Sequence, residues 1–107
     1  MSYRTIYSDA AKQDAKEIVT YLAQFYASTA RNFKTMLTER VNALKTTPLI
    51  YPAYENDMFF RRMVLGDFLL FYNVDEERKL ITVHRIFHHA RDIERLMAEH
   101  RMREKLL

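Results

Sequence analysis

Two successive imidazoles, His88-His89, lie between guanidiniums at Arg85 and Arg91, and a further imidazole, His84, stands four residues before them. Cleavage of RNA by its own 2′-hydroxyl needs a base, an acid and a cation beside the scissile phosphate, and His with Arg fills all three roles. Arg85, His88, His89 and Arg91 are therefore the candidate set for ribonuclease chemistry. The competing reading has one imidazole capping a strand end and the other in solvent, as exposed histidines commonly are. No carboxylate stands at a spacing that would orient either ring, so no residue is assigned as catalytic outright. A metal site from His84, His88 and His89 is disfavoured because no acidic ligand is patterned with them and the basic surroundings repel a cation. The expectation is no metal and no cofactor.

The last third of the chain must position these groups. Apolar runs at residues 63–65 and 68–74 flank Gly66-Asp67, a two-residue loop with Gly first, which suits a type II′ hairpin turn. A third run, residues 80–87, follows the charged loop Asp75-Glu76-Glu77-Arg78 and ends at the imidazoles. Pairing Leu65 with Phe68 places Arg61 opposite Tyr72 and Arg62 opposite Phe71. One sheet face then collects Arg61, Met63, Leu65, Phe68, Leu70, Tyr72 and Val74, and the other Phe60, Arg62, Val64, Leu69, Phe71 and Asn73. On the third strand Ile81, Val83, Arg85 and Phe87 alternate with Leu80, Thr82, His84 and Ile86, and the longer loop leaves that register open. The first face is the more apolar and is assigned to the core. The second, with Val64, Leu69 and Phe71 rimmed by Arg62 and His84, is too apolar for a solvated face, and an uncovered apolar face points to a partner's groove.

Upstream, residues 3–7 read as a short strand, and Ser8 with Asp9 as a helix start. Ala11, Ala15, Ile18, Leu22 and Phe25 form one helical stripe running to about residue 27. Ser28-Thr29 offers a second cap, and Ala30, Phe33, Leu37, Val41 and Leu44 a second stripe that Thr47-Pro48 ends. From Arg91 to Leu107 the composition is helical and charged, with Ile93, Leu96 and Met97 as a narrow apolar stripe and Leu106-Leu107 as an apolar end. The expected class is α+β: an N-terminal strand and an antiparallel helical hairpin packed on a small antiparallel sheet (β-α-α-β-β-β), then a charged C-terminal helix. Ile18, Leu22, Phe33, Leu37, Val41, Leu44, Leu70 and Val83 are its expected core.

With 107 residues, 49% hydrophobic and 13% aromatic, the chain reads as one folded domain, 1–107. The absence of Cys excludes a disulfide framework, a thiolate zinc site and a cysteine nucleophile. A net charge of +3 permits an acidic protein or RNA as partner but is short of a dedicated DNA binder. The N-terminus lacks an apolar signal core and no segment approaches a membrane span, so a cytoplasmic protein without a membrane partner is expected.

Three segments in order resemble the RelE/ParE superfamily of toxins from bacterial type II toxin–antitoxin modules. They are Asp9-Ala10-Ala11-Lys12-Gln13-Asp14-Ala15-Lys16-Glu17-Ile18, the hairpin from Phe60-Arg61-Arg62 to Phe71-Tyr72-Asn73-Val74, and the ending Thr82-Val83-His84-Arg85-Ile86-Phe87-His88-His89-Ala90-Arg91-Asp92. The long helical hairpin and the Arg-Arg pair are ParE-like. The RelE side carries an Arg within the second meander strand, where this chain has Leu69 or Leu70. The resemblance implies a growth-inhibiting toxin that binds DNA gyrase and is neutralised by an antitoxin segment folding on it as a helix or an added strand. Arg62, Val64, Leu69, Phe71 and His84 would meet target or antitoxin, the C-terminal segment would contact the target, and operator DNA would be reached only through the antitoxin. The alternative is a RelE-like ribosome-dependent mRNA endoribonuclease using Arg85, His88, His89 and Arg91. A third reading is an inactive binding module with the same fold.

Overall fold

The computed structural model describes residues 2–106, the side chain of Leu106 excepted. The order is β1 (Arg4–Tyr7), α1 (Asp9–Ala23), α2 (Ala27–Ala43), β2 (Arg61–Leu65), β3 (Phe68–Asp75), β4 (Leu80–His88) and α3 (Ile93–Leu106). The expected α+β architecture is present. The sheet order is β1-β4-β3-β2, and β1 lies parallel to β4, which makes the sheet mixed where an antiparallel one was expected. A crossover through two helices is long enough to return the chain to the sheet in parallel.

Local chemistry explains most of the boundaries. The Ser8 hydroxyl accepts from the Ala11 amide at 3.0 Å and caps α1. Gly66 has a φ of +62°, and Asp67 is not at positive φ, the sign pattern of a type II′ turn. The hairpin register is the expected one, with Arg61 opposite Tyr72 and Leu65 opposite Phe68. The Asp92 carboxylate accepts from the Arg95 amide at 3.3 Å and caps α3.

The helical corner is tighter than its periodicity predicts. α1 stops at Ala23, and α2 starts at Ala27 with Tyr26 as its cap residue and no side-chain cap bond, so Ser28-Thr29 lie inside the helix. Phe25, expected on the buried stripe, is 61% exposed and stacks edge-on to Tyr21 at 5.3 Å. The turn takes it off the helix face before the stripe reaches the sheet.

The hairpin α1/α2 covers the face formed by Met63, Leu65, Phe68, Leu70 and Tyr72. There Phe33, Leu37, Val41, Leu44, Ile81, Val83 and Ile86 complete the main core, with Ile18 and Leu22 half-buried at its margin. The opposite face is not uncovered. α3 lies over it, and Met97, Ile93 and Leu96 pack with Tyr54, Phe60, Phe71 and Phe87 in a second core. The stripe read as narrow is sufficient to dock the helix, so the chain itself fills much of the groove expected for a partner.

Candidate functional site

Beyond Val83, β4 has no neighbour in β1, whose pairing ends at Tyr7–Val83. The start of α1 takes over that edge. The Ser8 amide donates to the Val83 carbonyl at 2.9 Å and the Ser8 hydroxyl to the His84 carbonyl at 2.8 Å. Further along, the Asp14 carboxylate accepts from the Ile86 amide at 2.9 Å. The same carboxylate grips Arg85 in a fork, with Nε donating at 2.7 Å and Nη2 at 2.9 Å. Asp14 and Arg85 are both largely sequestered, and the guanidinium also rests 4.4 Å from the Phe87 ring centroid. Of the ribonuclease candidates, Arg85 is thus committed to a carboxylate 71 positions away. The signal for Asp14 was a charge set inside the apolar stripe Ala11, Ala15, Ile18.

The other three candidates lie together on the surface. His88 and His89 are exposed and stacked, their ring centroids 4.5 Å apart. His88 Nδ1 accepts from the Ala90 amide at 3.1 Å, the strand-end role weighed against catalysis. His88 and exposed Arg91 line a shallow groove of about 390 Å³ with Asp14, Glu17, Tyr21 and Phe68. No carboxylate is within hydrogen-bonding reach of His88 or His89 among the described residues, so neither ring is oriented as a general base. One imidazole and one guanidinium in a groove, with a second imidazole stacked beside the first, can bind an anion, but they lack a preorganised acid–base pair.

On the second face the structure divides the expected partner-binding residues. Arg62 is exposed, Val64 is 56% exposed and Leu69 is half-buried, so a strip along β2 and β3 remains open. Phe71 and His84 are buried beneath α3, because an apolar face and an amphipathic helix in one chain find each other first. Arg61 does not leave its head in water: Nη1 donates to the Tyr51 carbonyl at 2.6 Å and sits near that of Leu49 at 3.4 Å. Tyr72 is core, as expected; its hydroxyl donates to the Pro48 carbonyl at 2.7 Å, and burial pushes its pKa up to about 12.

His84 is separated from His88 and His89 and meets the C-terminal helix instead. Its Nδ1 lies 3.0 Å from His100 Nε2, and both imidazoles are buried. Glu104 Oε1 completes the group, 3.8 Å from His84 Nδ1 and 3.6 Å from His100 Nε2. Burial lowers the His84 pKa against the opposing pull of Glu104. It pushes that of His100 down to about 4, with the neighbouring His84 and the Arg85 charge adding to the effect. Both rings are therefore neutral near pH 7. His100 and Glu104 extend the stripe of Ile93 and Met97 at helical spacing, a continuation masked by their polarity. Arg101 holds the same helix down, over the Phe59 ring at 3.8 Å and paired with Asp57 at 3.1 Å. The Leu106 side chain and Leu107, expected to contact a target, lie outside the described residues.

Residues 5–93 match the sequence model of the family described as the ParE toxin of type II toxin–antitoxin system, parDE. No curated protein sequence matches the chain significantly. Among solved structures, the chromosomal ParDE system of P. aeruginosa is similar at a TM-score of 0.69 and 16% identity, over 81% of this chain and 96% of that one. The RelBE2 toxin–antitoxin complex of Mycobacterium tuberculosis is similar at 0.59 and 16%, over 83% and 100%. The isolated E. coli RelE toxin is similar at 0.58 and 13%, over 94% and 99%. At these identities the likeness to solved structures is one of fold.

Proposed function

The chain belongs to the ParE toxin family of type II toxin–antitoxin systems, and from that premise we propose that it arrests bacterial growth by binding a macromolecular target, DNA gyrase by family resemblance, and is neutralised by a cognate antitoxin. The observation that carries the binding reading is the bidentate Arg85–Asp14 pair. It occupies the one guanidinium on β4 and so withdraws it from the imidazoles at the strand end, leaving them only Arg91 beyond the strand. The remaining imidazoles are exposed, and His88 is tied to a backbone amide. An antitoxin segment would use the strip of Arg62, Val64 and Leu69 directly. To reach Phe71 and His84 it would have to take the place of α3.

RelE-like cleavage of ribosome-bound mRNA is the second reading, favoured by the groove that places His88 and Arg91 together. The two are separated by inducible expression in bacteria, with transcript-end mapping and plasmid supercoiling measured on the same cultures. Binding to gyrase predicts altered supercoiling or DNA breakage with no new transcript ends. New ends inside coding sequences, with supercoiling unchanged, would establish the nuclease instead.

A further inference from the structure

Buried imidazoles in contact are uncommon in a core that has apolar side chains to spare. The sheet presents His84 through an irregularity. Tyr72 pairs with Val83 and Phe71 with Arg85, which leaves His84 as the extra residue of a bulge, a device that re-aims a side chain. From the other side, His100 and Glu104 stand one turn apart on α3 and face the same way. The three ligand atoms form a triangle with edges of 3.0, 3.6 and 3.8 Å. Zinc bonds of about 2.0–2.2 Å in tetrahedral geometry require edges of about 3.3–3.6 Å. The nearest point equidistant from all three atoms lies in their plane, about 2.0 Å from each, and an ion raised about 0.5 Å from it toward a fourth ligand keeps bonds of about 2.1 Å, a zinc bond length.

We infer that His84 Nδ1, His100 Nε2 and the Glu104 carboxylate form a zinc site that ties the C-terminal helix to the sheet. The donor set, two imidazoles and one carboxylate, is of the kind zinc takes with its fourth position open. Zinc replaces the hydrogen bond between the rings; the proton on the donating nitrogen moves to the other nitrogen of its own ring, with no redox change. Glu104, half-exposed beside two buried rings, is the entry side. The nearby guanidiniums oppose a dication; Arg85 is neutralised by Asp14 and Arg101 by Asp57, while Arg103, whose charge also acts on His100, is exposed and screened by solvent. This site is distinct from the surface pair His88 and His89, which the sequence placed in the same cluster.

The test uses the full chain, stripped with chelator and titrated with zinc by calorimetry and with Co²⁺ by visible absorption. One ion per chain, tetrahedral cobalt bands and a zinc-dependent rise in Tm are expected. Glu104→Gln spares the packed rings and should weaken binding at least about tenfold, since even groups that only support a ligand are worth that much. A His88→Ala, His89→Ala variant should bind as the parent does. The proposal is overturned by absence of stoichiometric binding, by binding that Glu104→Gln leaves unchanged, or by binding that the surface double variant abolishes.

Discussion

The Asp14 carboxylate does three jobs with two oxygens: it holds Nε and Nη2 of Arg85 and caps the Ile86 amide. Removing one partner of such a pair leaves a buried charge uncompensated, which costs about 3–5 kcal/mol. Asp14→Ala should lower unfolding stability by that amount in denaturant titration, and a loss below about 1 kcal/mol would show the pair to be solvated. The pair was invisible to local pattern because its members are far apart in sequence, and only the docking of α1 on the free edge of β4 joins them. The imidazoles His88 and His89 were legible as surface groups at a strand end. The fate of His84 was not, since the bulge that turns it toward α3 has no signature in the alternation of residues 80–87.

The hairpin and sheet were readable because period and turn chemistry agreed: Ser8, Gly66 and the stripes of α1 and α2 each specify the same layers. Leu37→Ala and Leu70→Ala should each cost about 2–5 kcal/mol, the usual penalty for a cavity at a buried Leu. What pattern reading missed was the third layer. α3 has few apolar positions, yet Met97, His100 and Arg101 give it a buried, a polar and a stacking contact with the sheet side. Deleting the chain from Glu99 would remove two of these, so lost toxicity after truncation would report unfolding as well as lost target contact. Met102 and Arg103 are exposed and test the contact itself. Met102→Ala with Arg103→Ala should reduce growth arrest while leaving Tm unchanged, and full toxicity would confine α3 to its packing role. The buried rings also make α3 docking acid-sensitive in the metal-free protein. Their folded pKa values are below that of a free His, so the unfolded chain binds more protons in this range and stability rises with pH. In the presence of chelator, Tm should fall as pH drops from about 6.5 toward 4, with a flatter profile for His100→Gln.

At the scale of the molecule, the sheet is covered by two helices on one face and one on the other, leaving the Arg62–Val64 strip on β2 as open surface, the strip proposed for the antitoxin. Val64→Asp places a charge on that strip without touching either core. It should weaken antitoxin binding about tenfold or more by calorimetric titration with Tm unchanged, whereas equal affinity would move the interface elsewhere. The central claim is that arrest comes from binding and not from RNA chemistry at the end of β4. Loss of a His that transfers a proton costs about 10²–10⁴ in rate, whereas one exposed ring at an interface contributes little. The direct measurement is growth arrest on induction of the His88→Ala, His89→Ala double variant, with folding and antitoxin binding verified on the purified protein. The binding account predicts that most of the arrest is retained; a folded, antitoxin-binding double variant that is harmless to cells would contradict it.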